Sequence, residues 1–381
     1  MAKTFGQGFM GAAAFRHKLG GTAATWGGEI TCRTGDLVRI LSESMGGGPA
    51  YLADDSVHNA VTNTSQAFRD QGETGTETWS GTVEAYMRYR GLDSLIAHAF
   101  GAANGAPTNE SGVVYSQYFY PSDTLANVFG TLCIDKVHNV AEFDSVKVNS
   151  MTITATAGER VRVSFDIIAR DFNNDSTVNP NATLWSDPDT AGNREYINFE
   201  DADVYLDVWS GITPGAITAA DKVYPSEFSI TLTNSLVGDV TTRNSPLIDE
   251  PMRDGFAEVT GSLTFPIFGD TVGTADDVNN SEVLEDGMLA KSNFSLQIDF
   301  VGSTIVGSYN NELKLFLPNI EFTSSEANIG GPGKIGHRLN FVSVTPVAVG
   351  SFLASKKGAT YKYPLWCEIL NRENINKLAT S

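Results

Sequence analysis

Alternation of apolar and polar positions runs through most of the chain. Val83, Ala85 and Met87 share one face of a period-two run, with Thr82, Glu84, Tyr86 and Arg88 on the other. Leu263, Phe265 and Ile267 form the apolar face of a second such run. Successive side chains of a strand point to opposite faces, so both runs predict half-buried β-strands. Elsewhere the period lengthens. Leu92, Leu95, Ile96, Ala99 and Phe100 recur at i, i+3, i+4, i+7 and i+8 before Gly101, which predicts a short amphipathic helix with a glycine stop. Ser281 caps a weaker helical run holding Val283, Leu284, Met288 and Leu289, interrupted by Gly287. A hairpin follows each helix: residues 146–156 and 160–168 around Ala157-Gly158-Glu159, and residues 312–323 and 334–344 around a longer connection.

The same order of elements therefore occurs twice, and short matches accompany it. Ser80-Gly81-Thr82-Val83 is echoed by Thr260-Gly261-Ser262-Leu263, and Arg69-Asp70-Gln71-Gly72 by Arg253-Asp254-Gly255. Asn149-Ser150-Met151-Thr152-Ile153-Thr154 resembles Pro318-Asn319-Ile320-Glu321-Phe322-Thr323, and Arg162-Val163-Ser164-Phe165 resembles Arg338-Leu339-Asn340-Phe341. Four ordered matches at offsets of 169 to 184 predict an internal duplication. The expected fold class is mainly β with minor α: two tandem β-sandwich or barrel domains, each with one helix. The expected boundaries are an N-terminal arm (1–20), a first domain (21–172), an acidic linker or insertion (173–222), a second domain (223–346) and a C-terminal arm (347–381).

Composition refines this picture. A length of 381 residues suits two domains, and 41% hydrophobic content is enough for proper cores. The formal net charge is −19. Lys3, Arg16 and Lys18 face no acid in the first twenty residues, and from residue 351 onward five bases face two acids, so each end carries +3 beside an acidic body. Tight nucleic-acid binders gather bases against phosphates, so this balance argues against DNA binding as such, though not against DNA passing by. Cys32, Cys133 and Cys367 are far apart with no CxxC spacing, which reads as reduced thiols of a protein made in a cytoplasm. The opening residues do not read as a signal peptide, and no apolar run reaches the length of a membrane helix, so no membrane partner is expected.

Candidate chemistry mostly dissolves on inspection. Gly330-Gly331-Pro332-Gly333-Lys334 suggests a phosphate loop, but Ile335 stands where Ser or Thr is needed. Asp171, Asn173 and Asp175 begin a calcium-loop spacing that Ser176 and Ala182 fail to continue. The histidines show no metal spacing, and no acid–base pair stands out. The expectation is no enzyme, no metal and no cofactor.

Residues 142–166 (EFDSVKVNSMTITATAGERVRVSFD) resemble the strand, small-residue turn and amphipathic strand of siphophage major tail tube proteins. Residues 226–234, 258–265, 315–319 and 330–333 resemble the rest of that pattern, so the resemblance covers about residues 70–345. It implies a virion tail component, assembled in the host cytoplasm, whose β-sandwich domains form stacked, β-barrel-lined rings around a DNA-sized lumen. Two tube domains per chain imply trimeric rings of pseudo-sixfold shape, where single-domain members form hexamers; a hexamer is the alternative for this chain. The implied partners are further copies of itself, the tape measure, tail tip and tail terminator proteins, and double-stranded DNA passing without tight binding during ejection. Polar strand faces would then line the lumen, with Glu84, Asp166 and Thr264 as candidates. The basic ends would join ring to ring through Phe5, Phe9, Phe15, Leu365 and Trp366. The alternative is a non-enzymatic, acidic β-sandwich binding or adhesion module, although the five Trp are spread along the chain rather than clustered.

Overall fold

The computed structural model describes residues 11–18, 26–33, 35–53, 72–103, 105–174, 176–180, 195–208, 217–238, 245–266, 281–329, 332–333, 335–346, 363–374 and 378. The chain is mainly β. Strands β1 (Ala12–Lys18), β2 (Leu37–Val38), β3 (Ser42–Glu43), β4 (Gly46–Leu52) and β5 (Glu73–Tyr86) lead to helix α1 (Asp93–Phe100). Then come β6 (Gly101–Ala103), β7 (Thr108–Ser111), β8 (Val114–Pro121), β9 (Phe129–Asp135), β10 (Val140–Thr156), β11 (Arg162–Ala169) and β12 (Asp171–Asn173). The remainder holds β13 (Ala202–Val208), β14 (Lys222–Val223), β15 (Glu227–Thr233), β16 (Leu236–Val237), β17 (Met252–Arg253) and β18 (Glu258–Phe265). Helix α2 (Ser281–Leu289) precedes β19 (Phe294–Val306), β20 (Tyr309–Glu326), β21 (His337–Ser343) and β22 (Trp366–Asn371).

Among the described residues every strand pair is antiparallel, and one pairing scheme occurs twice. In the first half β2, β1, β9, the start of β10 and β12 form one ladder, while the end of β10 continues through β11 and β5 to β3 and β4. In the second half β14, β13, β19, the start of β20 and β22 form the corresponding ladder, and the end of β20 continues through β21 and β18 to β15. Strands β10 and β20 thus each serve two layers. Buried alternate residues, such as Val163, Phe165 and Ile167 on β11 and Leu339 and Phe341 on β21, meet in a single core that also takes in α1. Gly101, at φ 81, ends α1 by donating its N–H to Ala97 O, a left-handed stop that favours glycine.

The ladders correct the expected alignment of the two halves. Val83 pairs with Phe165 and Gly261 with Phe341, so Val83 corresponds to Gly261 rather than to Leu263. Met151 pairs with Phe165 and Phe322 with Phe341, so Met151 corresponds to Phe322 rather than to Ile320. Each correction is a slip of two residues, which leaves every side chain on its own face.

The expected boundaries are corrected too. Residues 12–18 and 366–371 are strands of the body, not arms: β1 pairs with β9, and β22 sits between β20 and β8. Within the expected linker 173–222, β13 is a strand paired with β19. The halves are fused by seven residue pairs between β10 and β15. The pairings trace an open, branched network, and among the described residues they close no barrel within one chain.

Candidate lumen and assembly surfaces

Strands β5, β11, β10, β15, β18, β21 and the end of β20 form one continuous ladder. Its apolar side chains face the core, and the opposite face is rich in hydroxyls and carboxylates. Thr82 pairs with Asp166, Glu84 with Ser164, Thr152 with Thr231 and Glu227 with Thr264. The three lumen candidates, Glu84, Asp166 and Thr264, therefore come to one polar face although they lie as much as 180 positions apart in the chain. Hydrogen bonds fix its side chains: Ser42 Oγ donates to Glu84 at 2.9 Å, Asn149 Nδ2 to Asp166 at 3.0 Å, and the Thr152 and Thr231 hydroxyls bond at 3.0 Å.

The two ends of this ladder differ from its middle. The final part of β10 lies between β11 and β15, whereas the corresponding part of β20 pairs with β21 on one side only among the described residues. At the other end lies residue stretch 40–46, the counterpart of β15: Ser42 pairs with Glu84 and Gly46 with Ser80, as Ser229 pairs with Ser262 and Thr233 with Glu258. Here Leu41 is 45% exposed, and the Met45 N–H is met by the carboxylate of Glu43 at 2.8 Å. An open groove of about 760 Å³ lined by Val38, Leu41, Glu43, Ile134 and Lys136 runs beside it. Beyond this stretch β4 and β5 project as a two-stranded hairpin with Tyr51 69% and Leu52 55% exposed. Two strands alone are marginally stable in water, so such a hairpin calls for a covering surface.

A family model described as phage tail tube protein matches residues 23–343, most of the chain. The chain belongs to the phage tail tube protein family. A comparison with individually curated proteins gives no match. Membership makes it a structural component of a virion tail with a non-enzymatic role.

Three of the five expected ring-to-ring anchors of the tube protein lie inside its body. Phe15, Leu365 and Trp366 are 1%, 0% and 4% exposed, and they pack into the chain's own core, so they are not free to anchor a neighbour. Phe15 stacks edge-on against His98 at 4.8 Å, and Trp366 lies 5.7 Å from Tyr120. The reason is that β1 and β22 each cover a sheet edge that would otherwise expose unpaired backbone. Phe5 and Phe9 lie outside the described residues.

Several buried polar groups escaped sequence reasoning. His17 Nδ1 and His98 Nε2 are hydrogen-bonded partners, and burial pulls the pKa of His17 down to about 4. Burial, then His17 and Lys147, lower that of His98 as well. The Lys147 ammonium, 2% exposed, donates to Leu125 O at 2.7 Å and Pro251 O at 3.1 Å and pairs with Glu250 at 2.7 Å. Burial lowers its pKa while Glu250 opposes the shift. Cys32 Sγ lies 3.6 Å from Cys133 Sγ, beside Glu142, whose pKa burial raises. Asp171 and Asn173, the start of the calcium-loop spacing, belong to strand β12, and Asp175 lies outside the described residues. Among the described residues no group of three ligand side chains could hold a metal.

Proposed function

We propose that this tail tube protein closes three copies into a pseudo-sixfold ring, and that such rings stack into the tube through which DNA leaves the virion. The observation that carries the reading is the twice-used pairing scheme with one junction filled and one open. Within the chain β15 completes the edge of β10; between chains, residues 40–46 of one copy would complete the edge of β20 on the next. Transferring the β10–β15 register gives Glu321 opposite Gly46, Phe322 opposite Met45, Ser324 opposite Ser44 and Glu326 opposite Ser42. Closure then removes the two open ends of this ladder, which otherwise invite uncontrolled pairing.

The polar face would turn to the lumen, with Glu84, Asp166 and Thr264 along the DNA path. Every phosphate contact made there would have to be broken during ejection. A hydroxyl-rich wall on a chain of net charge −19 offers the duplex little to hold, and like-charge repulsion acts over about 8 Å in physiological salt. The β4–β5 hairpin, with Tyr51 and Leu52 exposed, would reach an adjoining ring.

The test is a Ser44→Cys, Ser324→Cys double variant, oxidised after assembly and run on a denaturing gel. Ser44 and Ser324 take the places of Thr231 and Thr152, whose hydroxyls are 3.0 Å apart. Expected is a ladder of covalent species ending at three chains. A ladder ending at six, or none from intact tubes, refutes the reading.

A further inference from the structure

We infer that Cys32 and Cys133 form a latent disulfide site, closed by oxidation into a staple across the first half of the chain. The two sulfurs are 3.6 Å apart and both side chains are buried, at 1% and 0% exposure. They form a small cluster with Ala14 and Val140, apart from the main core. Cys133 is fixed on β9, paired with Ala14 on one side and Glu142 on the other. Cys32 belongs to a stretch, residues 26–33, that makes no strand ladder. That stretch is held by bonds to side chains and a carbonyl: Trp26 Nε1 to Ile248 O at 3.1 Å, Gly27 N to Ser145 Oγ at 2.8 Å, Ile30 N to Thr131 Oγ1 at 3.3 Å and Cys32 N to Asn179 Oδ1 at 2.7 Å. A segment without ladder bonds opens at a lower free energy than the strands beneath it.

This arrangement sets how the bond forms. In the closed state Cys32, burial and Glu142 all push the Cys133 thiol pKa up, so the pair is inert as it stands. When the stretch opens, one cysteine thiolate attacks a small external disulfide and expels one thiolate. The second cysteine then attacks the mixed disulfide at the protein sulfur and expels the other. The S–S bond forms, two thiols of the oxidant are released, and they carry the two electrons and two protons. In a reducing cytoplasm the reverse reaction dominates, so the thiols persist through synthesis and the staple forms afterwards, in an oxidising medium. The cross-link ties positions 101 residues apart, the long-loop case in which a staple most restricts the unfolded chain.

The experiment uses the full-length protein, incubated with oxidised glutathione or with dithiothreitol, then alkylated in denaturant and digested with trypsin without reduction. Expected is a linked pair of peptides 19–33 and 91–136, lighter by two hydrogens, with Cys367 in peptide 363–372 still alkylated. The thermal midpoint should rise by about 3–6 °C on oxidation, fall back with dithiothreitol, and stay put in Cys32→Ser. Three alkylated thiols after prolonged oxidation, a linkage that includes Cys367, or a linked chain with an unchanged midpoint would each overturn the inference. The peptide map needs no variant, so a poorly folding mutant does not blunt it, and the result is independent of whether the protein forms rings.

Discussion

Ser325 is the position at which the proposed ring closure is most open to attack. It pairs with Leu339 as Ile153 pairs with Val163, so Ser325 on β20 corresponds to Ile153 on β10. Along β10 alternate residues bond to the β15 side: Asn149 O accepts from Asn234 N–H at 2.7 Å, and Ala157 N–H donates to Ser226 O at 2.8 Å. Ile153 falls in that series, and by correspondence the Ser325 N–H aims at the open edge. Ser325→Pro therefore removes no ladder bond within the protomer. It loses the hydroxyl contacts to His337 Nε2 at 2.8 Å and Glu285 at 3.3 Å, worth about 1 kcal/mol, and Ser325→Ala shares that loss. Across a closed interface the same proline deletes one ladder bond and leaves a buried carbonyl unmet, costing about 2–4 kcal/mol. Each interface should weaken about a hundredfold. Sedimentation and light scattering give the critical concentration for tube formation, and a thermal melt checks the protomer. Expected is a folded Ser325→Pro protein that fails to polymerise while Ser325→Ala still does. Polymerisation of folded Ser325→Pro at the wild-type critical concentration would show that this edge is solvent-facing in the tube, where proline is tolerated.

Three further outcomes follow from the buried groups. Lys147→Met should destabilise the protein by about 3–5 kcal/mol by leaving Glu250 and two carbonyls without their cation; a calorimetric midpoint within one degree of wild type would contradict this. His17 titrates near 4 in the folded chain and near 6.5 when unfolded, so the unfolded state takes up protons first as pH falls. Its contribution is thus fully present above about pH 6.5 and lost toward pH 4, by up to about 3 kcal/mol, and denaturant melts of wild type and His17→Gln should diverge over that window. Gly261→Ala should cost about 1–3 kcal/mol, since a Cβ there would collide with Phe341 Cζ and the Ser229 carbonyl; an unchanged denaturation midpoint would speak against that close packing.

What the sequence made legible, and what it hid, have one physical origin. Strands β5, β11, β15, β18 and β21 bury one face and wet the other, so their alternation is written in the residues. Strand β1 buries Ala13, Ala14 and Phe15 in succession, and β22 buries five of its six residues. A strand covered on both faces loses alternation, and these two read as arms. Register was hidden for a related reason. A pattern of period two is unchanged by a slip of two residues, which is why Gly81 and Gly261 matched as letters while the ladders place Val83 opposite the position of Gly261. The pairing of Cys32 with Cys133 left no trace at all, because a contact across 101 residues is set by how sheets pack and not by spacing. The polar face was legible residue by residue, but its continuity over both halves depends on the β10–β15 junction. That junction also supplies what alternation cannot: it fixes one register between the halves, and the repeat carries that register to the open edge. The proposed ring interface is thus specific to the residue, because that register sets Ser44 beside Ser324 with Ser42 and Ser44 on the polar face.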